Sequence, residues 1–106
     1  MAEPRFPHAG ESFIVNYPGI TAKNTYSSDG ATVRYEIIEG AYEGASAEVT
    51  FEWTAVGDDV FLISWQEADG ATVVHLDHFR AGQSDTFFKT AKLDFIRLRG
   101  TLEAVG

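Results

Sequence analysis

The chain has 106 residues, 44% hydrophobic, 23% charged and 13% aromatic, which suits one folded domain over residues 1–106 and leaves no room for a second independent core or a disordered chain. Sixteen acidic against eight basic side chains give a net charge of -8, repelling phosphate backbones and anionic lipid, so neither nucleic acid nor membrane is an expected partner. The absence of cysteine excludes disulfides, thiolate nucleophiles and zinc–thiolate sites. Met1 to Gly10 has no signal-peptide core, and the longest apolar run, Val60 to Ile63, falls far short of the roughly 20 residues of a membrane helix, so a cytoplasmic protein is expected.

Turn residues divide the chain at short intervals. Pro18-Gly19, Ser28-Asp29-Gly30, Glu39-Gly40 with Glu43-Gly44, Gly57-Asp58, Asp69-Gly70, Ala81-Gly82 and the weaker Ala91-Lys92 separate about eight segments of strand length. Between them apolar residues alternate, as in Val33, Tyr35, Ile37 and in Ala47, Val49, Phe51, Trp53, Ala55. No amphipathic helix, repeat or linker interrupts this pattern. Strands joined by short reversals are neighbours in space, which predicts an all-β, antiparallel up-and-down meander. Closure into a roughly eight-stranded barrel removes the open edges and covers the apolar face, with Phe6 to Gly10 as a candidate plug for one end.

Strand register decides what the interior contains. If Phe51 and Trp53 point inward and Gly57-Asp58 is a two-residue turn, Ala55 pairs with Val60 and Trp53 with Leu62, which sends Leu62, Ser64 and Gln66 inside. Two-residue turns further on then bring in Val73, His75 and Asp77, next Ser84, Thr86 and Phe88, and finally Phe95 and Arg97. The outer face would carry Phe61, Ile63, Trp65, Val74, Leu76, Phe87, Ile96 and Leu98, an apolar patch that predicts a homodimer through Phe61, Ile63, Trp65, Leu76 and Phe87. A bulge or three-residue turn at Gly57-Asp58-Asp59 inverts every later strand, making that set core and leaving His75, Asp77 and Arg97 solvated. The sequence leaves both registers open.

In the first register the cavity is lined by aromatic surface and a few polar groups, a combination suited to one small aromatic or amphipathic organic molecule. The ligand-binding candidates are Tyr35, Phe51, Trp53, Ser64, Gln66, His75, Phe88 and Arg97. Acid–base chemistry is the alternative, with His75 or Asp77 as general base and Arg97 and Tyr35 stabilising developing negative charge. His75-Leu76-Asp77-His78 puts two potential ligands on one strand face about 6.6 Å apart, without a pattern to complete a metal set, so no metal is expected. Ser64 has no nucleophile-elbow context, and the scattered glycines form no phosphate cradle, so no cofactor is expected.

At Ser64-Trp65-Gln66-Glu67-Ala68-Asp69-Gly70-Ala71-Thr72-Val73, followed by Val74-His75 and Phe79, the chain resembles the MoaF-related, lipocalin-like family. It is similar more loosely over Thr32 to Gly44 and at Arg97-Leu98 with Gly100-Thr101-Leu102. Asp77-His78-Phe79 departs from the family's acidic pair before phenylalanine. The resemblance implies a calycin, or lipocalin-like, antiparallel barrel. Such barrels include carriers and also cofactor-free enzymes such as phenolic acid decarboxylases, which place Tyr, Arg and Glu inside. The family's label comes from molybdenum-cofactor biosynthesis, and no pterin or molybdate site is visible in these residues. The expectation is therefore a small-molecule-binding barrel protein, with a cofactor-free lyase or isomerase as the alternative.

Overall fold

The computed structural model describes residues 5–105 as a single antiparallel sheet of nine strands. These are β1 (Ser12–Tyr17), β2 (Ile20–Tyr26), β3 (Thr32–Gly40), β4 (Ser46–Thr50), β5 (Glu52–Gly57), β6 (Val60–Gln66), β7 (Thr72–His78), β8 (Gln83–Lys89) and β9 (Phe95–Ala104). Their order, β4-β3-β2-β1-β9-β8-β7-β6-β5, is a meander in which the first strand pairs with the last. The fold is the expected all-β, barrel-like one. Among the described residues no helix is long and apolar enough to cross a membrane.

The ninth strand arises because the segment expected to run unbroken past Phe51 divides there. β4 pairs with β3 and β5 with β6, while β4 and β5 form no ladder with each other. Phe51 is the corner: its N–H donates to the Ala31 carbonyl at 3.3 Å and its ring enters the core. The two ends of the curled sheet are thus joined through one residue of chain, and the wall carries a seam without a strand ladder.

Three departures from two-residue turns set which side chains face inward. A bulge at Val56 lets Ala55 pair with Phe61 and Trp53 with Ile63, so Phe61, Ile63 and Trp65 point inward, while Leu62, Ser64 and Gln66 point outward. The next hairpin closes through Ala68, Asp69 and Gly70, with Glu67 and Ala71 hydrogen-bonded across it and Gly70 at φ 94. A three-residue loop with glycine in the left-handed region reverses parity again. It puts Val73, His75 and Asp77 inside opposite Trp65, Ile63 and Phe61. Ser84, Thr86 and Phe88 follow on β8. The five residues Thr90 to Asp94, with Leu93 at φ 70, shift parity once more, so Ile96 and Leu98 face inward and Phe95 and Arg97 outward. Each of the two expected registers is therefore right for part of the chain.

One end of the barrel is filled. Phe6, 1% exposed, packs against Tyr26, Phe51, Trp53, Phe61 and Phe79 with ring centroids 4.8–6.2 Å apart. His8 stacks on Phe79 at 4.0 Å and its Nε2 lies 2.8 Å from Asp59 Oδ1, which ties the segment before β1 to the β5–β6 turn. This is the plug expected from Phe6 to Gly10. Truncation of its central ring leaves a cavity that five neighbours line, so Phe6→Ala is expected to cost about 3–5 kcal/mol, read as a lower midpoint in urea unfolding.

Candidate functional site

The opposite end of the barrel is hollow. A cavity of about 360 Å3 opens between the β3–β4, β6–β7 and β8–β9 loops. Ligand pockets span about 300–1,000 Å3, so the space suits a compact organic molecule. Its walls are apolar: Val15, Ile20, Ala22, Ile37 and Val73 come from four strands, with Phe88 and Leu98 opposite. Small side chains at Ala22, Ala45, Ala71 and Ala91 keep the space open.

Its floor is a chain of buried polar groups. Ser84, fully buried, donates its hydroxyl to Asp77 Oδ1 at 2.5 Å. A serine has one proton to give, so the 2.6 Å contact between Tyr17 Oη and Ser84 Oγ is a bond donated by Tyr17. Tyr17 Oη then accepts from His75 Nδ1 at 3.1 Å, and His75 Nε2 lies 3.4 Å from Thr86 Oγ1. The chain His75–Tyr17–Ser84–Asp77 thus runs from the cavity to a carboxylate that is 1% exposed. Asp77 Oδ1 is also 3.7 Å from His75 Nδ1, and Asp77 Oδ2 is buried without a partner among the described residues. Gly100 makes the arrangement possible: it lies opposite Ser84 on β9, and a Cβ there would come within 2.9 Å of the Tyr17 ring and 2.0 Å of the Asn16 carbonyl oxygen.

The mouth is built differently. Tyr35 Oη donates to Glu67 Oε1 and Trp65 Nε1 to Glu67 Oε2, both at 2.5 Å. Tyr35 is stacked near Trp65 at 6.2 Å, and Trp65 on His75 at 5.1 Å, each pair 21° from parallel. Glu67 follows β6 whereas Tyr35 is on β3, so this carboxylate holds together strands on opposite sides of the seam. Burial, and then the hydrogen bond to Glu67, push the Tyr35 phenol well above its ordinary range. Burial and the nearby Asp77 charge do the same to Tyr17 and to the fully enclosed Tyr26.

Of the residues expected to contact a ligand, Tyr35, His75 and Phe88 line this cavity. Asp77 lies beneath it, reached through Ser84 and Tyr17. Phe51 and Trp53 belong to the plug at the other end, packed on Phe6. Ser64 and Gln66 point outward because of the Val56 bulge. Arg97 is outside as well, with its guanidinium 5.0 Å from the Phe95 ring centroid, because the β8–β9 loop has five residues rather than two. Of the outer-face residues proposed for self-association, Phe61 and Ile63 are core and Trp65 lines the cavity, while Leu76 and Phe87 do face outward. The residues missed are Tyr17, Asn24, Trp65, Glu67 and Thr86. Alternation through Phe13, Val15 and Tyr17 carries the signal for Tyr17, whereas Glu67 follows a strand whose register the bulge conceals.

The family model of the MoaF-like proteins matches residues 9–103. This chain belongs to the MoaF-like family. The MoaF-like chain is also similar to the crystal structure of "a putative beta-lactamase from Burkholderia vietnamiensis", with 53% identity, a TM-score of 0.95, and coverage of 97% of this chain and 100% of that one. Among curated proteins no match is found.

The buried tyrosines make folding sensitive to alkali. An unfolded tyrosine loses its proton near pH 10, while Tyr17 and Tyr26 keep theirs in the folded barrel. The folded state then binds more protons, so stability is fully present below pH 10 and falls as pH rises above it. Urea unfolding from pH 8 to 11 is expected to show a loss approaching about 1.4 kcal/mol per pH unit for each such tyrosine, with less loss in Tyr17→Phe.

Proposed function

We propose that this MoaF-like protein binds a small organic molecule in the open end of its barrel, with rings of Tyr35, Trp65 and Phe88 as contact surface and Asn24, His75 and Thr86 orienting it. The observation that carries this reading is the difference between the two ends. Aromatic side chains fill one, while the other keeps about 360 Å3 free above a floor of hydrogen-bonding groups. A core evolved for stability alone packs without such a void. The cysteine-free composition supports a cytoplasmic setting.

The buried chain from His75 to Asp77 favours a second reading, a cofactor-free lyase or isomerase in which His75 Nε2 takes a proton from the ligand and Tyr17 and Ser84 stabilise the imidazolium against Asp77. Two other readings fit poorly. The name of the Burkholderia structure suggests β-lactam hydrolysis, but no serine is among the described residues lining the cavity, and Ser84 is fully buried and committed to Asp77. A molybdate or phosphorylated pterin needs cationic partners, and the charged side chains at the cavity are the carboxylates Glu67 and Asp69.

Fluorescence tests the binding reading. In a Trp53→Phe background the remaining Trp65 reports on the cavity, and saturable quenching by members of a metabolite library is expected. Val73→Trp, which fills the space, is expected to abolish it while circular dichroism stays unchanged; quenching that survives this substitution overturns the reading. Turnover of a bound compound, lost in His75→Gln with binding retained, would select the enzyme.

We also propose a homodimer, supported by the outer side chains Leu62, Val74, Leu76 and Phe87 on β6, β7 and β8. Sedimentation is expected to give a dimer for the native chain and a folded monomer for Leu62→Glu. A native chain that sediments as a monomer at all concentrations removes this part.

A further inference from the structure

The chemistry of the cavity mouth narrows the class of ligand, on the reading that the cavity is a small-molecule site. Two carboxylates, Glu67 and Asp69, stand at the opening, and among the described residues lining the cavity there is no lysine or arginine. Glu67 is oriented rather than neutralised: its two partners, the Tyr35 phenol and the Trp65 indole, are uncharged donors, and no salt bridge reaches Glu67 or Asp69. Asp69 accepts only from the Ala71 amide, at 2.9 Å. Both carboxylates therefore lack a counter-charge beside an opening of low polarity, where Coulomb attraction is less screened than in bulk water.

The rings at the mouth act in the same sense. Tyr35 and Trp65 lie nearly parallel, 21° apart, and Tyr42, 69% exposed with a left-handed backbone at φ 64, adds a third ring at the rim. The faces of such rings are electron-rich and attract cations, most strongly in tryptophan. Deeper in, Asn24 is 4% exposed, lines the cavity and makes no side-chain hydrogen bond among the described residues. The amide is therefore left to bond water or a ligand in the cavity. Its oxygen gives the interior an acceptor suited to an N–H group, whereas His75 Nε2 lies 3.4 Å from the Thr86 hydroxyl.

We infer that the cavity selects a small ring-bearing organic cation, a protonated or quaternary amine, with its charge at the mouth between the Tyr35–Trp65 pair and the Glu67 and Asp69 carboxylates, and that it rejects organic anions. The apolar body of the ligand lies along Val73, Phe88 and Leu98, and Asn24 accepts from a donor at its far end.

Three probes of similar size and different charge test this by calorimetry and ligand-observed NMR at neutral pH: benzylamine, benzyl alcohol and benzoate, with benzyltrimethylammonium as a quaternary form. The ammonium probes are expected to bind about tenfold tighter than the alcohol, benzoate not to bind, and the preference to shrink as salt rises. Glu67→Gln keeps a side chain able to accept from Tyr35 and should bring the amine to the affinity of the alcohol. Glu48→Gln, which removes the same unit of charge from the exposed face of β4, should leave the preference intact and so separates the site from the overall charge of -8. Equal binding of amine and alcohol, tighter binding of benzoate, or an amine preference that survives both Glu67→Gln and Asp69→Asn overturns the cation assignment and leaves the cavity reading standing. Failure of all four probes to bind overturns both.

Discussion

The buried chain of hydrogen bonds from His75 through Tyr17 and Ser84 to Asp77 is the constraint around which the interior is arranged. It crosses the barrel between β1, β7 and β8, and it commits polar side chains to positions that packing alone would give to leucine or valine. A buried carboxylate is tolerable only with partners, and the links here are drawn from three strands. The absence of a side chain at Gly100 lets the Tyr17 ring reach across, so a backbone position on β9 decides whether the polar chain can form. On one side of this layer lie the rings packed on Phe6, and on the other the empty space.

That asymmetry gives the two ends different work. The plug has aromatic edges and faces in mutual contact, with His8 fastening it to Asp59, and serves stability. The mouth has fewer interlocked side chains and holds its rings by hydrogen bonds to one carboxylate. Polar groups are left over at two places, the Asn24 amide that borders the cavity and Asp77 Oδ2, which is buried without a partner among the described residues.

Much of this was legible in the residues. Strand alternation and turn chemistry were sufficient for an all-β antiparallel meander and a candidate N-terminal plug, and an inward His75 belonged to one of the two registers left open. Side-chain parity beyond Trp53 was not, because it depends on three features that leave weak marks in sequence. The Val56 bulge has no glycine to announce it, the Ala68–Gly70 loop looks like a two-residue Asp-Gly turn, and Leu93 adopts a left-handed conformation that leucine rarely takes. The first two errors cancel, which is why His75 and Asp77 lie inside as the first register has them although Ser64 and Gln66 do not. The third error stands alone and moves Arg97 to the outside. The corner at Phe51 was hidden for a different reason: alternation continues straight through it, since a bent strand and a straight one share the same period.

The seam at that corner bears on how the wall would respond to the ligand proposed above. Elsewhere the cylinder is riveted by main-chain bonds, but between β4 and β6 it relies on side chains, and the Tyr35–Glu67 bond is one of its rivets. Glu67 is therefore at once a fastener of the wall and a feature of the doorway. Anything that draws on that carboxylate also alters the tension across the slit, so binding of the proposed cation there would couple occupancy to wall stiffness through a single side chain.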